Sequence, residues 1–235
     1  LRDPQIQKVQ PYRYESLRAC PLPQRPVVVG LGPGGLFAAL ILAQAGLRPL
    51  VIERGDPVEE RSRRVQVFWQ VGALDPDSNV QFGEGGAGAF SDGKLNTGTK
   101  DPRARKVLEE LVQAGAPADI LWQAKPHVGT DRLPDAVRQI RETIRHLGGE
   151  VWFRSTCVGL QYKNGRITGV RVRRANGSCD IVETGHVILA PGHSARDVFT
   201  MLEKEGVPMQ PKAFSIGARI EHRQAWLDCT QYGSA

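Results

Sequence analysis

Three glycines, Gly30, Gly32 and Gly35, stand at G-x-G-x-x-G spacing directly after a run of valines, and an acid, Glu53, closes a second apolar run further on. The chemistry that this pattern serves is recognition of a dinucleotide. Gly30 permits a tight strand-to-helix turn, Gly32 lets backbone approach a pyrophosphate with no Cβ in the way, and Gly35 lets the helix sit close to the strand. The helix start offers unpaired N–H groups and a partial positive charge to the phosphates. Glu53, about twenty residues beyond the glycines, is placed to accept hydrogen bonds from a ribose diol. Arg54 beside it, and Arg61, Arg63 and Arg64 further on, could reach a phosphate or ribose, although a solvated helix face accounts for any one of them as well.

Those residues need a βαβ unit to position them. Val27–Val29 reads as a short buried strand, a helix runs from about Gly34 to near Gly46, and Leu50–Ile52 reads as the second strand. A buried turn without a ligand would share the pattern. A membrane span would suit the uncharged stretch Val27 to Leu47, but the crowded glycines and the proline are explained only by the strand, turn and helix. A charged helix is expected from about Val58 to Gln70.

Asn79 to Asn96 holds a second G-x-G-x-x-G, at Gly83, Gly85 and Gly88, followed by Phe90, Ser91, Asp92, Gly93 and Lys94 rather than by an apolar helix. It reads as a loop laid against a large flat or anionic ligand, with its N–H groups, Ser91 and Lys94 available; a plain surface loop is the alternative. A helix capped by Asp101, with Pro102 first, runs to Ala114, and another covers Pro134 to Leu147. From Glu150 the pattern alternates, with turns at Asn164-Gly165 and Asn176-Gly177, and predicts three or four strands in a meander. His186–Ala190 reads as a buried strand ending in Ala190, Pro191 and Gly192, small residues that suit backbone close to a ligand at the sheet's carboxyl edge. A helix over Ser194 to Glu205 follows, and KAFSIGARIEH reads as one further strand with no visible partner after it. The domain boundaries expected are residues 1–26 as a linker or remnant, 27–207 as the dinucleotide-binding domain, and 208–235 as the start of something else.

The 235 residues suffice for a sizeable core, and the formal charge of +6 is a mild arginine excess without a dense basic block. Nucleic acid is possible but not indicated, and the same excess would suit an anionic cofactor or substrate. Four scattered cysteines, Cys20, Cys157, Cys179 and Cys229, show no metal-ligand spacing and read as reduced thiols of a cytoplasmic protein. A small-molecule substrate is expected and no membrane partner; oligomeric state is left open.

The run VVVGLGPGGLFAALILAQAGLRPLVIERG resembles the FAD-binding start of two-dinucleotide-fold flavoproteins of the glutathione-reductase-like class. NVQFGEGGAGAFSDGKLNT, KPHVGTDRL, VILAPGHSARD and FSIGARIEH resemble a bacterial branch of FAD-dependent dehydrogenases, in the same order along the chain. The resemblance implies an α/β, Rossmann-like FAD-binding fold with a parallel central sheet plus a β-meander. It implies that Gly30, Gly32, Pro33, Gly34 and Gly35 bind the FAD pyrophosphate, that Glu53 binds the adenosine ribose, and that Gly85, Gly86, Ser91, Asp92, Gly93 and Lys94 lie along the pyrophosphate and ring side. Cys157 and Val158 would meet the adenine through backbone, and Ala190, Pro191 and Gly192 would form the strand-end motif near the cofactor. Such flavoproteins are longer and close the site with a late Gly-Asp segment, so an N-terminal fragment, truncated in a substrate domain, is expected. The function implied is a flavin-dependent oxidoreductase, with NAD(P)H a candidate reductant; His127, His193 and Lys94 are candidate acids or bases without an assigned role. A NAD(P)-binding dehydrogenase and a non-catalytic module holding a nucleotide or contacting RNA remain as alternatives.

Overall fold

The computed structural model describes residues 12–15, 20–90, 93–95, 99–129 and 131–233; Ser91 and Asp92 lie outside the described residues. Four strands form a parallel sheet: β1 (Val27–Val29), β2 (Leu50–Ile52), β3 (Glu150–Trp152) and, from the far end of the chain, β7 (Val187–Leu189), in the order β3-β2-β1-β7. Val28 pairs in register with Val51 on one side and Ile188 on the other.

Alternation across these strands splits the core into two. Val28 and Val51 face a cluster with Leu36, Ala39 and Leu40 of α1 (Pro33–Gln44), Leu111 of α3 (Ala104–Gln113), and Val137, Ile140 and Ile144 of α4 (Leu133–His146). Val27, Val29, Leu50 and Ile52 face the opposite cluster, with Leu160 of β4 (Thr156–Lys163), Val170 and Val172 of β5 (Arg166–Arg173), and Val198 and Leu202 of α5 (Arg196–Lys204). The arrangement is a sheet covered on both faces, as parallel sheets require. β4, β5 and β6 (Cys179–Glu183) form a separate antiparallel sheet in that order, so the expected meander is a three-stranded one.

α2 (Val58–Val71) matches the expected charged helix, while α3 begins at Ala104 because Asp101 to Arg103 form a preceding turn in which Asp101 accepts the Arg103 N–H at 2.9 Å. The strand expected over KAFSIGARIEH does not form. Residues 208–223 have no regular structure and, among the described residues, no neighbouring strand to complete a ladder; α6 (Gln224–Tyr232) follows them. His186–Ala190 is correct as a strand but half-buried rather than buried, since β7 is an edge of the sheet. Among the described residues no helix is long and apolar enough to cross a membrane, and all four cysteines are free.

Candidate functional site

The β1–α1 turn, the end of β2, the 81–87 loop, the start of β4 and the turn after β7 enclose a cleft of about 400 Å³ at the carboxyl edge of the parallel sheet. Each glycine of the turn has its own reason there. Gly30 adopts φ +98°, and a Cβ on it would lie 2.3 Å from the Ala190 carbonyl oxygen. Gly35 is tighter, since a Cβ would lie 1.8 Å from the Gly30 oxygen, so α1 can seat on β1 only with glycine there. Gly32 differs: the nearest atom to its absent Cβ is the Gly86 Cα at 4.0 Å. Among the described residues no packing contact demands that glycine; it faces the cleft, together with Pro33 and Gly34.

α1 starts with Pro33 and has neither a capping side chain nor an acidic residue in its first turn; its first internal bond runs from the Leu36 N–H to the Gly32 oxygen at 2.9 Å. The positive end of the helix therefore opens on the cleft uncompensated. Glu53 lines the same cleft but is not idle, because its Oε2 accepts the Leu31 N–H at 2.6 Å and its Oε1 accepts the Gly55 N–H at 2.7 Å. Burial pushes its carboxyl above the ordinary range against the lowering effect of those two bonds. A carboxylate has about four acceptor positions, so two donors leave capacity for a ribose hydroxyl. Leu31 is held from its other side too, its oxygen accepting the Gly85 N–H at 2.8 Å.

The expected residues separate into groups. Gly30, Gly32, Pro33, Gly34, Glu53, Arg54, Gly86, Ala190, Pro191 and Gly192 line the cleft, as do Cys157 and His193. Gly35 lies behind the turn, and Gly85 sits behind Gly86, its α-position turned to Ala89 and Val137. Val158 is not in the lining. The β4–β5 register passes from Cys157 opposite Val172 to Gly159 opposite Arg171, so Val158 is a bulge without a cross-strand partner. Gly93 and Lys94 lie off the cleft, where Lys94 and His127 form an antiparallel bridge flanked by the bonds Val128 N–H to Gly93 oxygen (3.0 Å) and Leu95 N–H to Pro126 oxygen (2.9 Å).

Arg61, which sequence alone allowed near a phosphate, is fully buried and organises the glycine loop instead. Its Nε donates to the Asn79 oxygen (2.8 Å), Nη2 to Val80 (3.0 Å) and Nη1 to Glu84 (2.6 Å), with Phe90 below at 4.6 Å. Burial pushes its guanidinium down to about 10. Glu84 completes the clasp: its Oε2 accepts the Val58 N–H at the start of α2 and an Nη1–H of Arg141, each at 2.7 Å, while Oε1 has no partner among the described residues. Burial pushes this carboxyl up to about 7 despite Arg141. The clasp fixes Gly86 over the first glycine turn, where a Cβ on Gly86 would meet Pro33 Cδ at 2.9 Å. Sequence reasoning missed Glu84, though an acid between Gly83 and Gly85 in an otherwise small and apolar run was a usable signal. It also missed Leu31, Gln81, Phe82 and Ser194, which lie inside the motif runs but have side chains that suggest no role by type.

No protein-family model matches the chain. A protein of Clostridium beijerinckii, described as an uncharacterized protein, is 52% identical over 210 residues, which are 89% of this chain and 38% of that relative. The chain thus spans well under half the length of the curated relative it matches. Among solved structures, THI4 of Thermovibrio ammonificans is 20% identical and superposes with a TM-score of 0.52, covering 79% of this chain and 64% of that one. The flavin-dependent monooxygenase PieE, solved with FAD and substrate, is 20% identical with a TM-score of 0.46, covering 78% of this chain and 33% of that one. At such identities the likeness concerns fold, and the THI4 superposition carries it. The chain has an α/β, Rossmann-like fold, a four-stranded parallel sheet with a three-stranded antiparallel meander, and shares it with THI4.

Proposed function

We propose that the cleft binds the adenosine diphosphate half of FAD and that the chain is the dinucleotide-binding part of a flavin-dependent oxidoreductase. The observation that carries this reading is Gly32, a glycine that no packing contact requires, at the uncapped positive end of α1 and facing the cleft. In this reading the amides of the first turn of α1 take the pyrophosphate, as helix N-termini do for anions. Glu53 accepts from the ribose, and the start of β4, with Thr156 and Cys157 in the lining, borders the adenine. Gly86 closes the cleft over the turn and excludes water from the phosphates. When bound, the flavin supplies acceptance of a hydride from a small-molecule donor, with NAD(P)H a candidate; this chain's residues bind and orient it.

The test is the visible spectrum of the purified chain after addition of FAD and removal of the excess. Retained flavin bands that ADP displaces support the reading. Flavin that neither stays nor competes with ADP refutes it, and retention of NAD but not FAD would move the assignment to a nicotinamide dehydrogenase.

A further inference from the structure

Glu53 and Arg54 stand side by side at the carboxyl end of β2, and both line the cleft. Their chemistries oppose each other at an adenosine 2′-oxygen: a carboxylate there accepts from a free hydroxyl and repels an added phosphate, whereas a guanidinium welcomes the phosphate. Which nucleotide the cleft takes therefore depends on whether Arg54 is available. In this structure Asp197 holds it by one terminal nitrogen. Its Nη2 donates to both carboxylate oxygens of Asp197, at 2.9 and 2.7 Å, its Nη1 lies 3.8 Å from Asp77, and its guanidinium carbon stands 5.8 Å from the centre of the Phe82 ring.

Asp197 is well placed to hold it. It lies in the first turn of α5, where the helix dipole favours a negative charge. The same wall is tied a second time, by the hydrogen bond from the Gln81 side chain to Ser194 Oγ, so the two sides of the cleft are joined at both Arg54 and Gln81. Ala195 and Val198, on either side of Asp197, line the cleft as well, which makes the position of α5 part of the site.

We propose that Asp197 is the specificity-determining residue of the cleft: by holding Arg54 it reserves the site for adenosine nucleotides with a free 2′-hydroxyl. The inference rests on the adenosine reading above. With Asp197 in place, a 2′-phosphate meets Glu53 and a guanidinium already neutralised. With Asp197 neutral, Arg54 turns to the phosphate at little cost, because its remaining ion pair, to Asp77 at 3.8 Å, is long and half-exposed and therefore weak.

The experiment uses ADP-ribose and 2′-phospho-ADP-ribose, which differ only at that oxygen, and measures both affinities by calorimetry at constant ionic strength. The wild-type chain should prefer ADP-ribose by at least about a hundredfold. D197N and D197S should narrow that preference by about tenfold or more, the value of one charge-assisted contact regained. D197E, which keeps the pair, should retain the preference, and adding R54M to D197N should restore it. A folded D197N or D197S with the wild-type ratio overturns the inference alone, and so does a wild-type chain that binds both ligands equally. A wild-type chain that binds neither overturns the adenosine reading and the inference with it.

Discussion

Gly32→Ala should leave the protein as stable as it is and abolish most of its dinucleotide affinity, whereas Gly35→Ala should destabilise the fold strongly. Gly32 has φ −66° and ψ 179°, values that alanine adopts freely, and its new Cβ would have no atom nearer than 4.0 Å. Nothing in the native state is strained, and the unfolded chain loses freedom, so G32A should be as stable as wild type or more so by about 0.4–1 kcal/mol. The methyl group would stand between the phosphates and the amides of α1. Losing one charge-assisted hydrogen bond costs about 1.5–3 kcal/mol, or about 10- to 150-fold in affinity. Gly35→Ala puts a carbon 1.8 Å from the Gly30 oxygen, a backbone atom that β1 holds in place, so α1 must move off the sheet at a cost above about 3 kcal/mol. Urea unfolding of both variants, with an FAD titration of G32A, separates the two effects. The reasoning is refuted if G32A loses stability as G35A does, or if folded G32A binds FAD as wild type does.

Arg61→Met should loosen the glycine loop, since the oxygens of Asn79, Val80 and Glu84 lose their donor; a stability loss of about 3–5 kcal/mol in urea unfolding is expected. Glu84 holds its proton more tightly folded, at about 7, than unfolded, near its ordinary 4.5. Its contribution is full below pH 4.5 and is lost as pH rises through 7, at most about 3 kcal/mol; the stability difference between wild type and E84Q should change over that window, and a pH-independent difference would refute the assignment. Burial pushes the Cys157 thiol up to about 11, so a thiol reagent at neutral pH should modify Cys20, Cys179 and Cys229 quickly and Cys157 only on unfolding, as mass spectrometry of the peptides would show.

The first βαβ unit was legible in the sequence because all its instructions are local. Three valines, three glycines and Glu53 lie within one short stretch, and the structure assembles them as read. The meander was legible for the same reason, its Asn-Gly turns lying between adjacent strands. What escaped depends on partners distant in sequence. Arg61 could pass for a phosphate ligand until the carbonyls of residues 79, 80 and 84 are seen around it, and Glu84 acquires its meaning only from Arg141 on α4. The opposite error occurred at residues 212–222, where alternation alone suggested a strand, but a strand exists only when another completes its hydrogen bonds. Within the site, the motif assigned the three glycines their roles, and the structure adds the distances behind them: a Cβ would collide with backbone at Gly30 and Gly35, whereas at Gly32 it would meet nothing nearer than 4.0 Å among the described residues.

The most direct measurement is an amide nuclear magnetic resonance spectrum of the isotope-labelled chain, recorded during titration with FAD. The account predicts that the largest shifts fall on Gly32, Gly34, Gly35, Glu53, Gly86, Cys157 and Gly192, and that ADP alone reproduces most of them. Shifts confined to another surface, such as the Lys94–His127 bridge or the exposed end of α2 at Val67, Trp69 and Val71, would contradict it, as would a spectrum that FAD leaves unchanged.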